Sequence, residues 1–379
     1  MTKSFAQTNP FPKAQQKDNV TKSNHPTKKE KIISFNGNDG PYIINDSIYY
    51  INKENKLTAR SFFKRDSILV RVNNVEEDAF FVTLEKEYTL PKTIYSLPEK
   101  MIVISDIEGN YNAFASFLIA NNVIDKNHNW IFNDGHLVLG GDFVDRGINV
   151  TQVLWLIYKL EHQAKKQNGA VHFILGNHEI LNFQGDHRYN RGKYIKAAQD
   201  ISKLKDPKEA TKFMYSKKSE LGKWLATKNV IEKIGNYLFV HAGLSPEILK
   251  YRLTLDEINK ITRLKYYALT DKENETVKFL YSSHAPFWYR GLITNRIKYD
   301  KIRAFELQKI LKHYNSKKII IGHTTVKDIS TDFDGTVIRT DVHHGKLKFS
   351  GKTKGLLIKK DTIFSIDDTK IKKLLPNSL

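Results

Sequence analysis

Cysteine is absent from this chain of 379 residues. That excludes disulfides and thiolate-held metals, and leaves His, Asp, Glu and Asn as the ligands a metal site would have to use. No apolar run is long enough to span a bilayer, which takes about 20 residues. The opening stretch MTKSFAQTNPFPKAQQKDNV has no apolar core between a basic start and a small-residue cleavage site, so no secretory leader is legible. A cytoplasmic location without a membrane partner is therefore the expectation. Acidic residues are also in short supply. Forty-one Asp plus Glu face sixty-one Lys plus Arg, a formal charge of +20. Such an excess concerns the steering of anions and nonspecific binding rather than fold. It fits an acidic or phosphorylated substrate, and it equally fits a compositional bias in a chain rich in Lys, Asn and Ile.

The length allows one large catalytic domain with appended elements. Residues 1–31 are polar, contain Pro10, Pro12 and Pro26, and carry seven Lys against two acids; they are not expected to fold. From 32 to 98 short β-like runs such as Tyr42 to Ile44, Ile48 to Ile51, Ile68 to Val72 and Phe80 to Leu84 alternate with Asn, Asp, Gly and Lys turns. This reads as a small antiparallel unit. Beyond Pro98 the rhythm becomes strand, motif, helix. MIVIS leads into DIEGN, HLVLG into GDFVDRG, and VHFIL into GNHE. The helix after GDFVDRG shows Val153, Leu154, Ile157 and Leu160 on one face. Apolar strands that end in functional loops predict an α/β domain over 99–366 whose ligands lie at the carboxyl ends of the strands. Within it, 186–233 reads as a helical insertion with thirteen basic and six acidic residues. Residues 367–379 read as a C-terminal tail.

Five motifs mark the ends of apolar runs: SDIEGN at Ser105 to Asn110, GDFVDRG at Gly141 to Gly147, GNHE at Gly176 to Glu179, HAGLSP at His241 to Pro246 and GHT at Gly322 to Thr324. Taken singly, an HAG or a GH is an ordinary turn, and an Asp after a strand is an ordinary helix cap. Together they supply carboxylates, an asparagine amide, imidazoles and an arginine. That is the donor set of a two-metal phosphate-ester site, in which two divalent cations about 3.5–4 Å apart share a water-derived nucleophile.

These motifs resemble those of the calcineurin-like metallophosphoesterases. GDFVDRG, GNHE and HAGLSP are especially similar to the phosphoprotein phosphatases and their bacterial Shewanella-like branch, over about Met101 to His344. The resemblance implies a four-layer α/β/β/α sandwich and two divalent metal ions. It implies that Asp142 bridges both metals, that Asp106 and the residue at position 108 complete the first site, and that Asn177, His241 and His323 complete the second. By the same resemblance His178 protonates the leaving-group oxygen, Asp145 holds its imidazole, Glu179 supports from behind, and Arg146 and Arg290 grip phosphate. Asn177 also meets the substrate in that scheme. A planar guanidinium fork suits phosphate oxygens.

One position departs from the pattern. Where the family has His, this chain has Glu108. If Glu108 ligates, it adds a negative charge and a hard oxygen, which favours Mn or Mg over Zn or Fe and acidifies bound water less. If it does not, the first metal is weakly held. Manganese is the expected ion, with Fe, Zn and Mg as the alternatives. Arg188 and Arg191, in DHRYNRGKY, are candidates for gripping an anionic substrate or form part of a solvated basic face. His284, His343 and His344 sit late enough to approach the site. His128, His136, His162, His172 and His313 receive no role. The function this implies is metal-dependent hydrolysis of phosphomonoesters, phosphoserine and phosphothreonine in proteins first, by attack of a metal-bridging hydroxide without a phosphoenzyme. Hydrolysis of small phosphorylated molecules or dinucleoside polyphosphates is the alternative. A catalytically weakened polyanion binder comes after it, and nucleic acid ranks low as a partner because aromatic residues among the basic stretches are few.

Overall fold

Strands Lys100–Ile104, His136–Leu139 and Ala170–Phe173 pair in parallel, with Met101 opposite His136 and His136 opposite Ala170. Their alternate residues are buried in two different places. Ile102, Ile104, Leu137, Leu139 and Phe173 join the large core beneath helices Tyr111–Ala120 and Val150–Lys165, whereas Met101, Val103 and Val138 join a second core. The same division holds in strands Tyr237–Val240, Lys318–Ile321 and Val337–Arg339, which are also mutually parallel. There Tyr237, Phe239, Ile320 and Ile338 meet the second core, and Leu238, Val240, Ile319, Ile321 and Val337 face the other way. A strand buried on both faces needs an unbroken apolar run, and these have one. The second core is the seam between two sheets.

This is the computed structural model of residues 34–35, 37–63, 67–267 and 272–376. The segment 1–31 and the last residues of the tail, 377–379, lie outside the described residues. Each central sheet has six strands. One runs Lys372–Leu374, Thr362–Asp367, Lys354–Lys359, Lys100–Ile104, His136–Leu139, Ala170–Phe173, and the other runs Ser330–Asp332, Val337–Arg339, Lys318–Ile321, Tyr237–Val240, Ile231–Ile234, Ile94–Tyr95. With helices on the outer faces, the chain is a mixed α/β structure built on two stacked sheets. The strand Lys372–Leu374 falls in what the sequence reads as tail. It pairs with Phe364 to Ile366, and Leu375 beside it is buried, so the apolar side chain anchors an otherwise basic segment.

The N-terminal unit contributes a three-stranded antiparallel sheet, Asp39–Ile44, Ser47–Ile51 and Leu57–Ser61, and a hairpin, Ile68–Arg71 with Ala79–Val82. Its apolar side chains, Ile43, Ile48, Ile68, Val70, Phe80 and Val82, belong to the large core. Residues 186–233 form helices Gly192–Ser202, Pro207–Met214 and Glu220–Leu225, then the start of a strand.

His128 sits where the hairpin meets the domain. It is buried, its ring lies 5.5 Å from that of Phe80 and 6.0 Å from that of Tyr111, and neither nitrogen has a hydrogen-bond partner. Burial holds its imidazole below the ordinary range, against the pull of Asp78 and with the help of Lys159 and Lys348. The unfolded chain therefore takes up this proton more readily than the folded one. The stability linked to it is fully present above the ordinary value of about 6.5 and is lost as pH falls through it. His136, held at about 4 by burial and then by His172, acts in the same direction. We expect His128→Phe to reduce the acid-side slope of unfolding free energy against pH, measured by urea titration, by at most about 1.4 kcal/mol per pH unit.

Candidate metal centre

Every motif emerges at the carboxyl end of a parallel strand. Lys100–Ile104 leads to Asp106, His136–Leu139 to Asp142, Ala170–Phe173 to Asn177, Tyr237–Val240 to His241, and Lys318–Ile321 to His323. Backbone bonds then tie the loops together. The Asp106 amide donates to the Gly141 carbonyl (2.9 Å), and the Gly322 amide to the His241 carbonyl (2.8 Å). Asp106, Glu108, Asp142, Asp145, Arg146 and His323 all have positive φ, between 49° and 71°. L-residues with side chains adopt that region at a cost, and such residues concentrate where function over-determines them.

At the centre, donor atoms of Asp142, His241 and His323 lie within 4.8 Å of one another, and all three residues are buried. His241 Nδ1 is 2.7 Å from the Gly140 carbonyl, which accepts its proton and leaves the Nε2 lone pair facing inward. That Nε2 stands 3.0 Å from Asp142 Oδ2 and 3.1 Å from Asn177 Oδ1. His323 Nε2 is buried with no hydrogen-bond partner, and burial, His241 and Arg290 push its imidazole well below the ordinary range. A neutral, orphaned imidazole nitrogen is a metal ligand's state. Asp106 accepts from the His323 amide at 3.2 Å. Its carboxyl is pushed well above the usual range by burial, then by Asp341 and Asp142. Buried carboxylates crowded in this way call for a cation to neutralise them. On these grounds the residues present fit divalent metal ions.

Next to this donor set, His178 Nδ1 lies 2.6 Å from Asp145 Oδ2, and its Nε2 is 3.8 Å from Asp142 Oδ2. The His178 amide donates to Asp142 Oδ1 at 3.0 Å. Burial opposes charge on this imidazole, but Asp142 and Asp145 outweigh it and raise its pKa. Asp145 is held in turn by the side-chain amides of Asn182 (3.0 Å) and Asn190 (2.7 Å).

Glu179 fixes the frame. Its carboxylate accepts from the amides of Gly176 (2.8 Å), Asp142 (3.0 Å), Phe143 (2.8 Å) and Val144 (3.3 Å), so it templates the turn that presents Asp142. Gly176 has to be glycine, because a Cβ there would run into the Asp142 carboxylate. Glu179→Ala leaves those amides buried without acceptors, at about 1–3 kcal/mol for each that stays unsatisfied. We expect a loss of at least about 3 kcal/mol in unfolding free energy by denaturant titration, together with reduced metal content.

The remaining expected residues are placed as follows. Glu108 pairs with Arg146. Arg290 Nη1 donates to the His323 carbonyl and to Thr324 Oγ1 (2.9 Å), so it braces the loop that carries His323. Arg188 is exposed and its fork is occupied by Asp186, at 2.9 and 2.6 Å, so the structure gives it no place among the converging side chains. His284 stacks on Tyr289 and meets Tyr299 edge-on instead of joining the donors. His344 Nε2 donates to the Ser105 carbonyl (2.8 Å), and His343 is exposed. Sequence reasoning missed Asp341, which is buried beside Asp106 and accepts from Thr325 Oγ1 at 3.0 Å. The signal was available, since Asp341 follows the parallel strand Val337–Arg339, the position that yields ligands elsewhere in this fold. An open cleft of about 610 Å³ lies along Asp106, Glu108, Arg146 and Asp341 and reaches Asn74 of the N-terminal unit.

Two stacked sheets whose parallel strands deliver Asp, Asn and His donors to one point, with an Asp-held histidine beside them, define a metallophosphoesterase. The sequence profile of the calcineurin-like phosphoesterases matches residues 100–327. The chain belongs to that family. Among its relatives is Shewanella-like protein phosphatase 1 of Plasmodium berghei, 31% identical over 232 residues, which are 59% of this chain and 61% of that protein. The chain thus spans less than two thirds of that relative's length. Shewanella-like protein phosphatase 2 of Arabidopsis thaliana is 24% identical over 72% of this chain and 78% of its own. In structure, the cold-active protein tyrosine phosphatase of a psychrophilic Shewanella species superposes with a TM-score of 0.77 at 30% identity, covering 89% of this chain and 99% of that one.

Proposed function

We propose that this chain is a metal-dependent phosphatase that hydrolyses phosphomonoesters, with phosphoserine and phosphothreonine in proteins as its substrates. The observation that carries the reading is the convergence of the buried triad Asp142, His241 and His323 with the His178–Asp145 pair. Asp106, Asp142, Asn177, His241 and His323 would hold two divalent ions, manganese first. When bound, such ions supply Lewis acidity and an activated water at neutral pH.

The protein's own part is positional and protonic. Asp145, fixed by Asn182 and Asn190, accepts the Nδ1 proton of His178 and so sets its tautomer. His178 Nε2 faces Asp142 and is the group that protonates the departing oxygen. Arg146 and Arg290 receive the phosphate oxygens, and Asn177, at the start of its helix, stands 3.1 Å from His241 Nε2 among the donors. The relatives called protein phosphatases support a protein substrate.

A second reading, phosphotyrosine, has its own support. The Tyr189 ring lies 4.8 Å from that of His178, and Trp288 lies 5.7 Å from His323, giving aromatic walls on both sides of the donors. The Shewanella relative is described as a tyrosine phosphatase. The test is hydrolysis by chelator-stripped protein refilled separately with Mn²⁺, Mg²⁺, Zn²⁺ and Fe²⁺. The substrates are p-nitrophenyl phosphate, phosphopeptides bearing each of the three residues, and diadenosine tetraphosphate. Metal-dependent turnover highest on phosphoserine and phosphothreonine peptides is the expected result. A preference for phosphotyrosine selects the second reading, and turnover confined to the dinucleotide overturns both.

A further inference from the structure

The loops carrying Glu108 and Arg146 are laid against each other by their backbones. The Glu108 amide donates to the Asp142 carbonyl and the Gly109 amide to the Phe143 carbonyl, each at 2.9 Å. Gly147 approaches so closely that a Cβ on it would collide with the Glu108 carbonyl and with Gly109. Glu108 (φ 49°) and Arg146 (φ 51°) start from fixed left-handed conformations. The Arg146 amide donates to the Tyr189 carbonyl (3.0 Å), its carbonyl accepts from Arg191 Nε (2.5 Å), and its guanidinium lies over the Tyr189 ring at 5.4 Å. From these pinned positions, Glu108 Oε1 meets Arg146 Nη1. Both side chains line the open cleft with Asp106 and Asp341.

We propose that Glu108 is not a metal ligand but a built-in competitor on Arg146, a carboxylate standing where a phosphate oxygen binds and displaced when substrate arrives. The inference rests on the proposed function in one respect, that Arg146 receives phosphate. Carboxylate and phosphate make the same demand of a guanidinium fork, so one excludes the other. The Arg146 side chain is 49% exposed and that of Glu108 27%. A pair this open to water is weak enough for a dianion to displace. Once displaced, Glu108 remains nearby as a like charge and disfavours any phosphate that lingers. The effect falls on ground-state and product binding together, so the residue promotes release of inorganic phosphate.

The experiment measures two quantities on Mn²⁺-loaded full-length protein: metal equivalents by plasma mass spectrometry and inorganic phosphate affinity by calorimetry. Glu108→Gln keeps the shape and removes the charge. The expected result is unchanged metal content with phosphate bound at least fivefold tighter. In the Arg146→Ala background the same substitution should give no tightening. Loss of metal from Glu108→Gln overturns the proposal, as does phosphate affinity that is unchanged or weaker. Should Glu108→Gln fail to fold, Glu108→Asn, which removes the charge and tolerates the left-handed backbone, gives the same readouts with the same expected tightening. Absence of ester hydrolysis by the metal-loaded wild type would defeat the phosphatase reading while leaving the phosphate titration intact, so the two failures are separable.

Discussion

Asp142→Asn is expected to reduce turnover of p-nitrophenyl phosphate by about four orders of magnitude, the several kcal/mol that metal-centred charge stabilisation supplies. Asparagine retains the shape and the Oδ1 acceptor for the His178 amide, now at 3.0 Å, so the fold around position 142 should persist. What it removes is charge. Burial works against an ionised carboxylate here, but His241 and His178 hold Asp142 well below the usual carboxylate range. Its Oδ2 lies 3.0 Å from the inward nitrogen of His241. Take the charge away and the triad keeps only its two imidazoles beside the Asn177 amide, so a dication there is held less tightly, with Asp106 and Asp341 the carboxyls that remain nearby. The measurement pairs steady-state kinetics with metal content on protein whose circular dichroism is unchanged. Wild-type metal content with wild-type rate in the variant would remove Asp142 from the centre.

The second large effect is on His178. Replacing it with Asn should lower kcat on a phosphoserine peptide by about 10²–10⁴-fold, the usual contribution of a positioned proton donor. Metal content should stay near wild type, because His178 contributes a backbone amide and not a donor nitrogen to the triad. The diagnostic is the comparison between substrates. Serine leaves as a poor alkoxide and needs its proton, whereas p-nitrophenolate departs without one. The loss on p-nitrophenyl phosphate should therefore be much smaller. Equal losses on both substrates would make His178 a structural element. Asp145→Asn should shift both substrates in the same directions, since its single oxygen stays with the Asn182 and Asn190 amides and a donor NH2 replaces the acceptor that faces His178 Nδ1.

Much of this centre was legible in the sequence because the fold converts strand ends into site residues. An apolar run followed by SDIEGN or GDFVDRG specifies both a buried strand and the side chain that emerges from it. Asp106, Asp142, Asn177, His241 and His323 all stand at such strand ends, and it is the resemblance of the motifs to the calcineurin-like phosphoesterases that groups them as ligands. The sequence could not show what each side chain meets across the site. The Asn182 and Asn190 amides on Asp145 come from the last turn of helix Asn177–Phe183 and from the loop that follows it. No local pattern pairs them with a residue some forty positions earlier. Asp341 stood after a strand too, but its neighbours His343 and His344 drew attention as the chemically conspicuous residues. Arg188 looked available because sequence shows charge and not partners, and Asp186, two residues away, takes its fork. The strand Lys372–Leu374 was invisible for a different reason. It is an exposed, lysine-rich edge, held by pairing and by one buried leucine, with no apolar alternation to announce it.

The left-handed backbones at Asp106, Glu108, Asp142, Asp145, Arg146 and His323 have a consequence for how this protein can change over time. Glycine would relax each of them, by roughly 1 kcal/mol at the Glu, Arg and His positions and by less at the Asp positions. At these sites a mutation that abolishes chemistry can at once make the chain more robust. A lineage released from the need to catalyse would thus be drawn downhill, losing its reactive side chains while gaining stability.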